Sequence, residues 1–259
     1  MRTALSSLIH SSGSIPFMYH IHRCLFRNIY SIITLPKPPS NNHFCYNGEG
    51  FRGVHRHTGY AKQTGIMNEI LASPATWILI GINIILFIVE ERAGGSTDTE
   101  VALQFGAQTL PALQRKEYYR LFTAMFLHFG IMHLVCNMYS LYNLGPAIEW
   151  IYGWWRFLII YLGAGICGNL LTWVVESKTG RNGISAGASG AIFGLMGAYI
   201  ALALIPEIRD HLSIRSIVIT LAINVIYGFS SRRINMAAHF GGLIGGFMIA
   251  GMMVLGWVK

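Results

Sequence analysis

A chain of 259 residues that is 53% hydrophobic and only 12% charged is short of the charged quarter usual for a soluble protein. Its mean hydropathy is +0.47, which points to one domain of several membrane-spanning helices. The net charge of +8 is uneven, because seven of the nineteen Lys/Arg and one of the eleven acids, Glu49, fall in residues 1–66. No folded basic face or aromatic platform goes with that charge, which argues against nucleic-acid binding.

Residues 1–66 differ from the rest. They hold six of the ten histidines, with Pro36, Pro38, Pro39, Asn41 and Asn42, and no run apolar enough to span a bilayer. This extension is expected to be disordered. It reads either as a basic, acid-poor targeting segment or as sequence upstream of a true start at Met67. Residues 67–259 are then the working domain.

The first span is expected at 77–89, extended back through Leu71 and closed by Glu90-Glu91-Arg92. The loop 93–118 exceeds ordinary connections, so it should be functional or carry short helices. Further spans are expected at 121–144, 157–175, 189–205, 214–227 and 236–258. Trp154, Trp155 and Arg156 precede the third as an interfacial anchor. Six spans place both termini on one side, which the basic lead makes the cytoplasmic or matrix side. The cysteines Cys24, Cys45, Cys136 and Cys167 include no CxxC pair, so neither a disulfide framework nor a zinc site is expected.

Polar groups inside hydrocarbon are costly, so each calls for an account. In the second span His133 and Asn137 are four apart and share a helix face. Such a face could donate to a developing negative oxygen or could tie helices together. His128 points elsewhere, nearer the membrane surface. The fourth span opens on Gly187-Ala188-Ser189-Gly190, where glycine leaves the backbone open to close approach. Ser189 reads as a nucleophile inside the bilayer, though a serine at a helix start also serves as a cap. The downstream histidine in an apolar run is His239, the expected base. Phe193, one turn below Ser189, is the expected neighbour of its ring. Gly190/Gly194 and Gly241/Gly245 or Gly242/Gly246 form small-xxx-small faces that let helices meet closely. They could bring Ser189 within the ~2.6–3.2 Å of His239 that proton transfer needs. No third acid is at hand, so the expectation is a dyad.

Taken together, these motifs resemble the rhomboid family of intramembrane serine proteases. The resemblance rests on the Gly187–Gly190 helix start, on Ala238-His239 with Gly241, Gly242 and Gly246, and on the His128/His133/Asn137 series. Tyr119-Arg120 and Glu149 after Gly145-Pro146 add to it, with Tyr119 standing where Trp is more familiar. It covers about residues 71–258. It implies an all-α polytopic bundle of six transmembrane helices around a water-filled cavity. It implies Ser189 as nucleophile and His239 as base, with His133, Asn137 and the Ser189 N–H as the oxyanion hole beside Gly187. Arg120 and Glu149 would hold structure. The implied reaction is cleavage of transmembrane segments of single-span proteins within the lipid bilayer, without cofactor or metal. His128 and His133 are five apart and the chain has no HExxH, so a zinc protease is not expected. The lack of an extra span before the core points to the cell membrane, with the mitochondrial inner membrane as the alternative. The rival reading is an inactive rhomboid-like protein that binds transmembrane helices.

Overall fold

Pro74, with φ pre-set for the first turn of a helix, starts the first span one residue after Ser73. This is seen in a computed structural model that describes residues 43–46, 51–54, 72–205 and 235–256, with single positions between 209 and 222. The earliest described elements are strands β1 (His43–Tyr46) and β2 (Phe51–Val54), an antiparallel pair with His43 opposite Val54. All later elements are helical. The remainder of the predicted extension 1–66, and most of the predicted fifth span 214–227, lie outside the described residues.

Helix α1 (Pro74–Arg92) has no cap from Ser73. Its first-turn donors are met by Glu149 instead, a carboxylate from a helix more than seventy residues away. The two carboxylate oxygens accept from the N–H of Ala75 at 2.9 Å and of Thr76 at 2.8 Å, and from the Thr76 hydroxyl at 2.7 Å. Glu149 is 2% exposed. A buried negative group at a helix N-terminus meets both the free N–H groups and the positive end of the helix dipole.

The long loop carries the short helices expected of it. Helix α2 (Thr99–Gln104) is capped by Asp98, and α3 (Leu110–Gln114) by Thr109. Helix α4 (Arg120–Thr123) runs into a 3-10 turn, Ala124–Phe126. Arg120 then locks the loop. Its Nη1 donates to the carbonyls of Leu103 at 2.8 Å and Ala107 at 2.9 Å, and its Nε to Glu117 at 2.6 Å.

The second span departs from expectation. It starts not at Leu121 but at Ile131, where α5 (Ile131–Tyr152) begins after a break at 127–130 and a 92° bend. Leu127 is extended and Gly130 has φ +83, a conformation that favours glycine. Apolarity alone had hidden the turn. The helix also runs on past the expected end at Leu144, through Pro146. Glu149 therefore lies in its last turns rather than in a connection between spans.

Helix α6 (Trp154–Thr179) ends at Gly180 in the left-handed conformation, a common helix stop. Helix α7 (Ser189–Ala201) is buried at eleven of its thirteen positions, and a 3-10 turn, Leu202–Leu204, extends it. Helix α8 (Met236–Leu255) is capped by the Asn235 side chain. Three of these helices, α1, α6 and α8, are long and apolar enough to cross a membrane, or four with the bent α4–α5 pair. The protein is an integral membrane protein of the all-α class.

Helix α7 sits between its neighbours on glycine. A Cβ on Gly242 would strike the carbonyl of Gly190, and one on Gly246 the backbone of Gly194. The other small face of α8 meets α6: a Cβ on Gly241 would lie 2.7 Å from the Cys167 carbonyl. The two glycine faces of α8 thus hold two different helices. Thirteen residues at ~1.5 Å each, with three more at ~2 Å in the 3-10 turn, give ~26 Å, short of the ~30 Å of a hydrocarbon core. A helix this short leaves irregular backbone at membrane depth, which is tolerated only against protein or beside a wet cavity.

Candidate active site

Ser189 is the first residue of α7, and His239 lies one turn into α8. The close α7–α8 contact leaves His239 Nε2 3.0 Å from Ser189 Oγ. For the hydroxyl to donate there, Nε2 must carry the lone pair and Nδ1 the proton. Among the described residues the buried Nδ1 meets no partner, and no carboxylate completes a triad. The ring is oriented by packing. Phe193 stacks on it at 4.1 Å between centroids and 15° between planes. His239 is 9% exposed, while Ser189 is half-buried, so the hydroxyl keeps a way out of the packing.

Helix α5 brings His133 and Asn137 to the same place. A Cβ on Gly187 would lie 2.8 Å from His133 Nε2 and 3.8 Å from Asn137 Nδ2. Gly187 has φ +133, and both facts exclude a side chain there. The N–H of Phe129 donates to His133 Nδ1 at 3.3 Å. That bond assigns Nδ1 as acceptor, so a neutral His133 carries its proton on Nε2, on the side of Gly187. The Asn137 amide nitrogen is buried with no partner among the described residues. The Ser189 N–H, at the first position of its helix, has no acceptor within α7. His133 and Asn137 thus line one small space against Gly187, two residues before Ser189.

The remaining predicted residues stand outside that space. His128 is 1% exposed, sits in the break before α5 and meets the His133 ring edge-on at 5.1 Å. It backs His133 rather than facing the serine. Arg120 and Glu149 lie in the loop lock and the α1 cap. A cavity of about 410 Å3 lies beneath the loop, lined by Leu103, Thr109, Arg115, Arg120, Asn182 and Ile184. Its lining does not include Ser189, and Arg120 Nε and Nη1 beside it are already engaged. Among the described residues no three His, Cys, Asp or Glu side chains converge as metal ligands would.

The family model for the Rhomboid domain matches residues 115–256, more than half of the chain. The protein belongs to the rhomboid family. Rhomboid protease GluP of Bacillus subtilis is 40% identical over 181 residues, which are 70% of this chain and 35% of that protein. Putative rhomboid protease YdcA of the same organism is 40% identical over 139 residues, 53% of this chain and 68% of that protein. RHOMBOID-like protein 5 of Arabidopsis thaliana is 31% identical over 155 residues, 59% and 49% of the two chains. This rhomboid thus spans about a third of GluP and about half of the plant relative.

Two features of the rhomboid site were missed in the sequence. The cross-helix cap by Glu149 joins residues far apart, and no local pattern announces it. Asn235 was readable, since an Asn just before an apolar helical run is an N-cap signal.

Proposed function

We propose that this rhomboid is an intramembrane serine endopeptidase working through a Ser189–His239 dyad. The observation that carries the reading is the 3.0 Å approach of Ser189 Oγ to His239 Nε2, with His133 and Asn137 gathered at Gly187, two residues before the serine. The names of the relatives GluP and YdcA agree with it.

In this mechanism His239 Nε2 takes the proton of Ser189 Oγ as the oxygen attacks the scissile carbonyl carbon. The carbonyl π bond opens and its electron pair moves to oxygen. That oxyanion accepts from His133 Nε2–H, Asn137 Nδ2–H and the Ser189 N–H. As the tetrahedral species collapses the C–N bond breaks, and the imidazolium protonates the leaving amine. A water then attacks the acyl-enzyme, gives its proton to His239, and the Ser189 oxygen regains it. The substrates are transmembrane segments of single-span proteins, entering from the bilayer and unwinding beside Ser189.

The test is co-expression with a single-span reporter. Ser189→Ala and His239→Ala should each abolish cleavage while the protein stays folded and membrane-inserted. Undiminished cleavage by Ser189→Ala would discard the assignment. Binding of the reporter without cleavage by the wild type would favour the helix-binding alternative.

A further inference from the structure

We infer that Asn235 is a positioning residue that sets the alignment of Ser189 with His239, an inference that rests on the serine-protease reading. Its primary amide has two donors and one acceptor group, and all are engaged. Nδ2 donates to Thr172 Oγ1 at 3.0 Å and to Ser185 Oγ at 2.9 Å, while Oδ1 accepts from the Ala238 N–H at 3.1 Å. Thr172 passes its own proton to the Gly168 carbonyl at 3.0 Å. That commitment fixes which end of the amide faces α6.

One side chain thereby joins three segments. It starts α8, it touches α6 through Thr172, and it grips the strand-like stretch that leads into α7. Ser185 is itself held, since its backbone exchanges two hydrogen bonds with Gln108 at 3.0 and 2.9 Å. The spacing matters. Ser185 lies four residues before Ser189, and Asn235 four before His239, whose N–H bonds the Asn235 carbonyl at 3.3 Å. The amide therefore ties together two points equally distant along the chain from the two reacting side chains.

The glycine contact between α7 and α8 explains why such a tie is needed. Glycine faces let backbones approach closely, but they offer few side-chain ridges to resist sliding of one helix along the other. The contact sets the separation of the helices, and Asn235 sets their offset. A shift of ~1 Å at a reacting pair can cost ~10²-fold in rate.

The test uses the full chain in proteoliposomes with a single-span reporter, reading kcat and KM separately. Asn235→Ser keeps a good capping oxygen but is too short to reach Thr172 and Ser185. It should lower kcat by about ten- to a hundredfold with KM within about twofold and unfolding temperature little changed. Asn235→Asp should recover most of the kcat. The hydroxyls of Thr172 and Ser185 can turn to donate to the carboxylate, which also suits a helix N-terminus. Should Asn235→Ser fail to fold, Ser185→Ala reads the same tie and should lower kcat in the same sense. The inference is overturned if kcat is unchanged in the Ser variant, if KM worsens as much as kcat, or if the Asp variant is as slow as the Ser variant. A wild type that cleaves no faster than Ser189→Ala would overturn the protease reading itself, a separate result.

Discussion

Asn137 shows what one unsatisfied donor implies. Its amide nitrogen is buried with no acceptor among the described residues, a state that costs stability unless a ligand oxygen completes it. The account therefore predicts that Asn137→Ala lowers kcat, by no more than the ~10²–10³-fold loss seen for single oxyanion donors, while KM hardly moves. Steady-state kinetics on a reporter would check it, and a rise in KM with intact kcat would place Asn137 in ordinary substrate binding. Glu117 gives a prediction in pH. The Arg120 guanidinium, and after it Arg115, hold the Glu117 carboxyl below its ordinary value. A depressed carboxylate contributes stability above its unfolded pKa and loses it as pH falls through the folded one. Proteolysis of the loop should accelerate in that acidic window, and Glu117→Gln should show the faster cleavage already at neutral pH. Ser189 and His239, which the structure brings to 3.0 Å of one another, stood out in the sequence because Ser and His are rare in apolar runs. His128 was harder to place, since the sequence does not show that a break precedes α5.

At the scale of elements, the glycine faces hold the site together, and the Glu149 cap holds α1 to the bundle. Gly242→Val would drive a side chain into the Gly190 carbonyl. Overpacking of this kind costs about 1–3 kcal/mol, and it would part α7 from α8. Thermal unfolding should fall, and reporter cleavage should fall further than the loss of folded protein explains. Equal activity per folded molecule would show that the helix contact does not set the Ser–His distance. Glu149→Ala would leave two N–H groups and the Thr76 hydroxyl without their acceptor, at about 1–3 kcal/mol for a buried unpaired group. Unfolding in detergent should show this loss, with kcat per folded molecule nearly kept, since α1 lies away from Ser189. The glycine pairs were readable as small-xxx-small spacing, although only the packing reveals that adjacent glycines of α8 serve different neighbours. The second span was misread at both ends. Hydropathy does not register the positive φ of Gly130, and Gly145-Pro146 looks like a stop although the helix passes through it.

Over the whole molecule, a short buried helix that opens on Ser189 is packed among longer ones. Composition was enough to reveal a membrane bundle, because 12% charge leaves no other surface for these helices. The arrangement around α7 was not legible in that way, since it depends on which small face meets which helix. The central claim is that the Ser189 hydroxyl is activated by His239 across the glycine contact. The most direct measurement is the site of covalent modification when membranes holding the full chain are treated with a fluorophosphonate, located by peptide mass spectrometry. The account predicts one adduct, on Ser189, formed far more slowly in His239→Ala. An adduct on another residue, or labelling of Ser189 at the same rate without His239, would contradict it.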